Sequence, residues 1–560
     1  MSAWLAASLQ LLFVVVVLAV LYVPTGDYMA WVYNDTRHWR VERAVYRVTR
    51  IDPATDQSWA GYAGSLLGFT AAGIGLLYVL QRVQGVLPLN NGLAGVSPSV
   101  AFNTAVSFVT NTNWQSYVPE TTMSNLTQML GLTVQNFASA SVGIAVVVAL
   151  VRGFVRVGGG RLGNFWVDLI RGSVRILLPL SVIFAVFLLT QGVIQSLHSS
   201  FAATGLDGTA ISNAMAPVAS QEAIKEIGTN GGGILNANSA HPFENPTPLS
   251  NAFQIIALLL IPVALTRTFG TMVGSRRQGL TVLGVMTGLW AVLLGLATWA
   301  ELTASGVAGR AAGAMIEGKE VRFGIPGSVL FAVSTTGTST GAVNSMHDSF
   351  SAGGSGTLLL NMLLGEVAPG GVGSGLYSML IFAVIAVFVG GLLVGRTPEY
   401  LGKKIGRREI TMAALSVLVM PALVLAGAGV AIALPSTTGF QGNSGDPGTA
   451  SSIHGFSEVL YAYASAANNN GSAMAGITVT SGFFQISLGI AMLLGRVLPI
   501  LLVLALAGSL ATQHKTPAGA GTLPTHGVLF GALLTGVVVL VAALTFFPAL
   551  ALGSIAEALL

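Results

Sequence analysis

The sequence predicts an all-α integral membrane protein, on three observations. Of 560 residues, 53% are hydrophobic and only 8% are charged, a balance unsuited to a soluble domain wrapped in water. Apolar runs long enough to span recur about ten times, each meeting the roughly 20 residues that a hydrocarbon core of about 30 Å requires. Lys and Arg gather in short connections between some of these runs, while the other connections are long and nearly free of them.

Spanning helices are expected at about 4–24, 60–80, 125–150, 173–194, 250–273, 279–302, 374–395, 411–434, 478–508 and 527–548. The first run has no positive charge before it and no small-residue cleavage pattern after it, so it reads as a retained helix. The basic connections "NDTRHWRVERAVYRVTR", "VRGFVRVGGGRLGNFWVDLIRGSVR", "TRTFGTMVGSRRQG" and "GRTPEYLGKKIGRRE" mark the cytoplasmic side. They alternate with the long connections, so the latter are expected outside, and ten spans put both termini outside as well. The last inner loop, "ATQHKTPAGAGTLPTH", carries little charge to support this.

Composition also excludes. Without cysteine there are no disulfides, thiolate metal ligands or cysteine nucleophiles. The net charge is only +4 and the basic residues sit where orientation signals sit, which argues against nucleic acid. No G-x-x-x-x-G-K-[ST] loop and no Asp-Lys-Thr-Gly phosphorylation motif is present, so ATP chemistry would have to come from a partner. No cofactor is expected.

Four outer loops share one pattern, a short apolar segment and then a run of small and amide residues: "SPSVAFNTAVSFVTNTNWQSY", "SQEAIKEIGTNGGG", "FGIPGSVLFAVSTTGTSTGAVNSMHDS" and "HGFSEVLYAYASAANNNGSAMAG". The apolar segments, about 10 residues long, are too short to span. Ser97 with Pro98, and Ser457, are expected to start short helices. One Gly/Asn cluster between two spans is an ordinary turn. Four in equivalent places predict four pseudo-repeats of helix, pore loop and helix around one selectivity filter, because irregular backbone at membrane depth must be buried in protein or line a watery cavity. Each short helix precedes its loop, so its C-terminal end, with roughly half a negative charge, favours a desolvated cation alongside the backbone carbonyls. In "TNGGG", Thr229, Asn230, Gly231 and Gly232 would supply carbonyls, glycine permitting positive φ and close approach. The expected organisation is an N-terminal helix and loop (1–58), pore repeats at 59–155, 156–277, 278–400 and 401–510, and a C-terminal helix (511–560).

At "SFVTNTNWQSY", "GTNGGG", "GAVNSMHDSF", "GEVAPGGVGSGLY" and "NNNGSAMAG" the chain resembles, in order and over its whole length, the potassium-binding A subunits of the Kdp potassium-transporting P-type ATPase. The resemblance implies a bacterial plasma-membrane subunit that binds external K⁺ and passes it through an intramembrane tunnel to a P-type ATPase subunit, which hydrolyses ATP. Small accessory membrane subunits are implied too. Carried over by motif, the filter falls at Thr112 and Asn113, with Gln115 just above, at Asn230 and Gly231, at Thr340 and Gly341, and at Asn470 and Gly471; Thr110, Asn111, Thr229, Gly232 and Asn469 beside them complete the candidate set. No Thr-Val-Gly-Tyr-Gly is present, and Asn113 stands where the other loops have glycine. Unequal loops favour tight binding over rapid conduction. A stand-alone channel or symporter of the same superfamily is the alternative.

Other residues carry two readings each. Arg496, a basic residue well inside a spanning run, either repels ions beneath the filter or snorkels to the inner surface. Glu366 either attracts K⁺ at the outer vestibule or pairs with a basic group, the pairing being preferred. Glu222, Lys225 and Glu226 are expected on a solvated helix face. His347 with Asp348 is too sparse a pair for a metal site.

Overall fold

In a computed structural model the described residues are 3–303, 315–438, 450–517 and 522–559; residues 518–521 of the last inner loop lie outside them. Among the described residues ten helices are long and apolar enough to cross a membrane: Leu5–Asn34, Trp59–Val86, Thr127–Val155, Phe165–Gln191, Pro248–Met272, Arg276–Thr303, Ser374–Leu393, Arg407–Ala433, Gly482–Thr512 and Val528–Leu559. Each coincides with an expected span. The fold is that of a multi-pass, mostly helical membrane protein.

Local chemistry sets several helix starts. The Ser58 hydroxyl accepts from Gly61 N–H, and Ser481 from Phe484 N–H. Thr247 and Ser250 cap each other reciprocally just before and after Pro248, which sits where a missing N–H costs nothing. Thr127–Val155 and Pro248–Met272 are mostly buried in the protein interior, whereas Leu5–Asn34, Trp59–Val86, Arg407–Ala433 and Val528–Leu559 turn most of their apolar surface outward.

The basic connections are tied to span ends. Arg152 meets Asp168 at 2.6 Å, Arg267 meets Asp27 at 2.8 Å, and Arg175 meets both Asp35, at 2.8 Å, and Glu42. The guanidinium forks match carboxylates in plane, so the residues that orient the chain also lock its helices together.

Four short helices stand between the spans: Pro98–Val109, Val218–Ile227, Gly324–Gly337 and Ala450–Asn468. Ser97 holds the N-cap position of the first, with Pro98 following. Ser457 does not start the fourth. It lies one and a half to two turns inside, because the helix continues upstream through Phe456 and His454. The sequence reading also missed a break in the third repeat, where Ala352–Leu363 and Ser374–Leu393 are two helices separated by residues 364–373. A β-hairpin, Ser200–Thr204 against Ala210–Ala214, decorates the connection before the second short helix.

Candidate ion filter

All four short helices end alike. The N–H of Thr112, Asn230, Thr340 and Asn470 donates to the carbonyl five residues back, on Ser107, Lys225, Thr335 and Ser465. The residue before each donor has positive φ: Asn111 (66°), Thr229 (47°), Ser339 (55°) and Asn469 (59°). Such a left-handed residue followed by a bond spanning six residues is a Schellman C-cap. Asparagine tolerates this backbone, whereas a β-branched threonine does so only under restraint. Thr229 is restrained, its Oγ1 accepting from Val372 N–H at 3.0 Å.

Two residues on, φ is positive again, at Asn113, Gly231, Gly341 and Gly471. Alternating the sign of φ turns successive carbonyls toward the same side rather than to opposite sides, as a ring of cation ligands requires. The loops then meet in a closed circle. A Cβ placed on Gly231 would lie 1.7 Å from Thr340 O, one on Gly341 2.5 Å from Asn470 O, and one on Gly471 2.0 Å from Thr112 O. The fourth junction is made by side chains, Asn111 Nδ2 donating to Thr229 O at 2.9 Å and Asn230 Nδ2 to Asn111 Oδ1 at 2.6 Å.

Amides and hydroxyls brace the ring from outside it. Asn469 Nδ2 donates to Thr112 Oγ1 at 2.9 Å and to Met492 O at 2.8 Å. Ser339 Oγ reaches Asn468 O and Asn469 O, both at 3.1 Å. Hydroxyl pairs Thr110–Thr112 and Thr338–Thr340, each at 2.7 Å, repeat in the first and third loops. Gln115 and Gly233 bond reciprocally, at 2.9 and 3.0 Å, so Gln115 clasps the loop after Gly232.

The broken helix supplies the rest. Its non-helical residues touch three of the four loops: Val372 N–H to Thr229, Gly370 N–H to Gly337 O at 2.7 Å, and Glu366 Oε1, which accepts from Asn470 Nδ2 at 2.7 Å.

Cavities lie on both sides. A funnel is lined by Asn113, Gln115, Gly231, Gly341 and Gly471, the second left-handed position of every loop. Another cavity, lined by Glu366, Asn468, Asn469, Tyr377 and Arg496, lies against the first left-handed position of the fourth loop. Glu366 therefore belongs to this second cavity and not to the outer vestibule, and its partner is an amide rather than a basic group. Arg496 is buried and points into the same cavity, so it does not snorkel to a surface.

The expectation for Lys225 is corrected outright. Its ammonium is fully buried, 2.5 Å from Glu222, 3.5 Å from Glu226 and 3.1 Å from Glu244, and it donates to Asn238 Oδ1 and Ser239 Oγ at 3.0 Å. Asn238 in turn donates to Gly231 O at 2.8 Å. The i,i+3 spacing of Glu222 and Lys225 resembles a solvated pair, and the missing clue was Glu244, 19 residues downstream, which folds back to complete the cage.

A family profile described as "Potassium-transporting ATPase A subunit" matches residues 12–559. The chain belongs to this family. Relatives include potassium-transporting ATPase potassium-binding subunits of Mycobacteroides abscessus, 71% identical, and Rhodococcus opacus, 72% identical, each aligned over 100% of both chains. The corresponding subunit of Streptomyces coelicolor is 56% identical over the same coverage. The A-subunit architecture is not confined to these relatives. The crystal structure of the potassium transporter TrkH from Vibrio parahaemolyticus superposes with a TM-score of 0.53 at 14% identity, covering 80% of this chain and 84% of that one, which is a likeness of fold.

Proposed function

We propose that this chain is the potassium-binding and translocating subunit of an ATP-driven, high-affinity uptake pump in a bacterial plasma membrane. Membership of the A-subunit family carries the subunit role. The observation that carries the binding role is the closed circle of four Schellman-capped loops, each presenting carbonyls beyond a helix C-terminus. External K⁺ enters the funnel, exchanges water for the carbonyls around Thr112–Asn113, Asn230–Gly231, Thr340–Gly341 and Asn470–Gly471, and passes toward the cavity holding Arg496. Arg496 repels a cation there and opposes direct leakage, so the ion leaves sideways within the membrane to a P-type ATPase subunit. That partner, assembled with small accessory membrane subunits, hydrolyses ATP; this chain hydrolyses none and uses no cofactor. The funnel and both termini face outside.

The test is to purify the tagged chain from its native membrane in mild detergent and follow ATP hydrolysis against K⁺ concentration. Hydrolysis stimulated by micromolar K⁺, with Gly231→Asp raising the requirement, is the expected result. A chain that emerges alone, hydrolyses nothing and passes K⁺ passively in vesicles would establish a stand-alone channel instead.

A further inference from the structure

At three junctions of the ring the first left-handed residue of one loop reaches the next loop with its side chain. Asn111 Nδ2 donates to Thr229 O at 2.9 Å, Ser339 Oγ to Asn469 O at 3.1 Å, and Asn469 Nδ2 to Thr112 Oγ1 at 2.9 Å. Between the second and third loops the residue in that place is Thr229, whose Oγ1 is turned instead to Val372 N–H. Yet the backbones approach most closely here, a Cβ on Gly231 falling 1.7 Å from Thr340 O against 2.5 and 2.0 Å at the two other glycine junctions.

A residue from outside the repeat fills the gap. Asn238 is 7% exposed, lines the funnel, and lies seven residues beyond Gly231. Its Nδ2 donates to Gly231 O at 2.8 Å, and its Oδ1 accepts from Val343 N–H, just past the third loop's Gly341, at 3.2 Å. One planar amide therefore joins the two loops, as donor to one and acceptor from the other. Charge dictates which way round it sits. Lys225 Nζ, which can only donate, lies 3.0 Å from Oδ1, so the oxygen faces the lysine and the nitrogen is left to Gly231 O. Glu222, Glu226 and Glu244 hold that ammonium in place. With Ser239 N–H at 2.9 Å as a third donor, Oδ1 has no lone pair left for an ion, and Asn238 acts through Gly231 rather than as a ligand.

We propose that Asn238 is a positioning residue for ion selection, which aims the Gly231 carbonyl and fixes the gap between the second and third loops, with Lys225 orienting its amide. The proposal rests on the reading of the four loops as a cation filter. A carbonyl oxygen has two lone pairs, so the Asn238 amide occupies one on Gly231 and leaves the other for the ion. Discrimination among monovalent cations comes from the size of the carbonyl cage or from the number and field of its dipoles. A carbonyl free to tilt weakens both.

The experiment uses the chain with the subunits that accompany it on purification, and follows ATP hydrolysis against K⁺, Rb⁺ and Na⁺ in turn. Asn238→Asp keeps the size of the side chain and an acceptor for Lys225, Ser239 and Val343, but sets a second acceptor against Gly231 O. Half-stimulating K⁺ is expected to rise about tenfold or more with the maximal rate within about twofold of wild type, and the preference for K⁺ over Rb⁺ and Na⁺ to shrink. Asn238→Ala is expected to move the same quantities in the same direction. Half-stimulation unchanged in both variants, or raised by one common factor for all three ions, overturns the proposal. Failure of both variants to assemble overturns it too, by assigning Asn238 to folding. If K⁺ does not stimulate hydrolysis by wild type, the pump reading fails separately, and the ratio of K⁺ to Rb⁺ flux into vesicles then tests Asn238: a ratio lowered in Asn238→Asp supports its role, and an unchanged one overturns it.

Discussion

Gly231 shows how little freedom a single position of the proposed filter has. Its φ of 97° is open to glycine, and a Cβ there would lie 1.7 Å from Thr340 O, inside any van der Waals limit. Gly231→Ala must therefore push two loops apart, and K⁺ half-stimulation of the complex is expected to rise by about tenfold or more, since about 1.4 kcal/mol of lost binding is tenfold. Asn113 already has a side chain at the equivalent place, and neither of its polar atoms is hydrogen-bonded. Asn113→Gly is accordingly expected to shift half-stimulation far less than Gly231→Ala in the same assay; an equal or larger shift would mean that the asparagine amide itself holds the ion. Lys225 makes a second residue-level case. Removing one partner of a buried ionic cluster leaves uncompensated charge and typically costs about 3–5 kcal/mol. Lys225→Met strands Glu222, Glu226 and Glu244, so a thermal-unfolding scan of the purified protein is expected to show a drop of several degrees or a failure to assemble. An unchanged transition would mean that the cage does not hold the second loop. Glycine runs and asparagines were legible as loop chemistry, but burial of Lys225 was not, because periodicity reports which residues share a face and not what packs upon it.

At the scale of elements, length separates the first two short helices from the spans, since 10 to 12 residues cannot cross a bilayer and roughly 20 can; the third and fourth run to 14 and 19 residues, and the fourth is told from a span by its polar residues and the loop that follows it rather than by length. The same rule hid the break in the third repeat. Ala352–Leu363, only 12 residues long, falls below the spanning threshold and is joined to a complete span by glycines, so it resembles a loop until its packing is seen. Yet residues 364–373 brace three filter loops through Glu366, Gly370 and Val372. Their neighbour across the cavity is Arg496. With the arginine removed, no cationic side chain among the described residues lines that cavity, and on the proposed ion path Arg496→Ala is expected to raise passive K⁺ leak into vesicles in the absence of ATP. A leak equal to wild type would assign Arg496 to packing. The fourth short helix taught a related lesson, since Ser457 is a good capping residue by type but the apolar period runs on upstream and the helix follows it.

Across the whole molecule, ten spans and the segregation of basic loops predict one orientation, and the absence of cysteine makes it measurable without background from this chain. Leu206→Cys, in the exposed turn of the β-hairpin, is expected to react with an impermeant maleimide on intact cells. Arg407→Cys is expected to react only after permeabilisation, and the reverse pattern would invert the topology. Sequence by itself determined the solvent, the number of spans, the four repeated loops and the family, because hydrophobic length, charge distribution and long motifs are properties of the chain read in order. Tertiary structure alone decided which carbonyls meet, why the glycines cannot grow a Cβ, where Glu366 and Arg496 lie, and that Asn238 joins the second loop to the third. Those relations join residues about a hundred or more positions apart, and no local pattern encodes a contact whose partners are brought together only by packing in three dimensions.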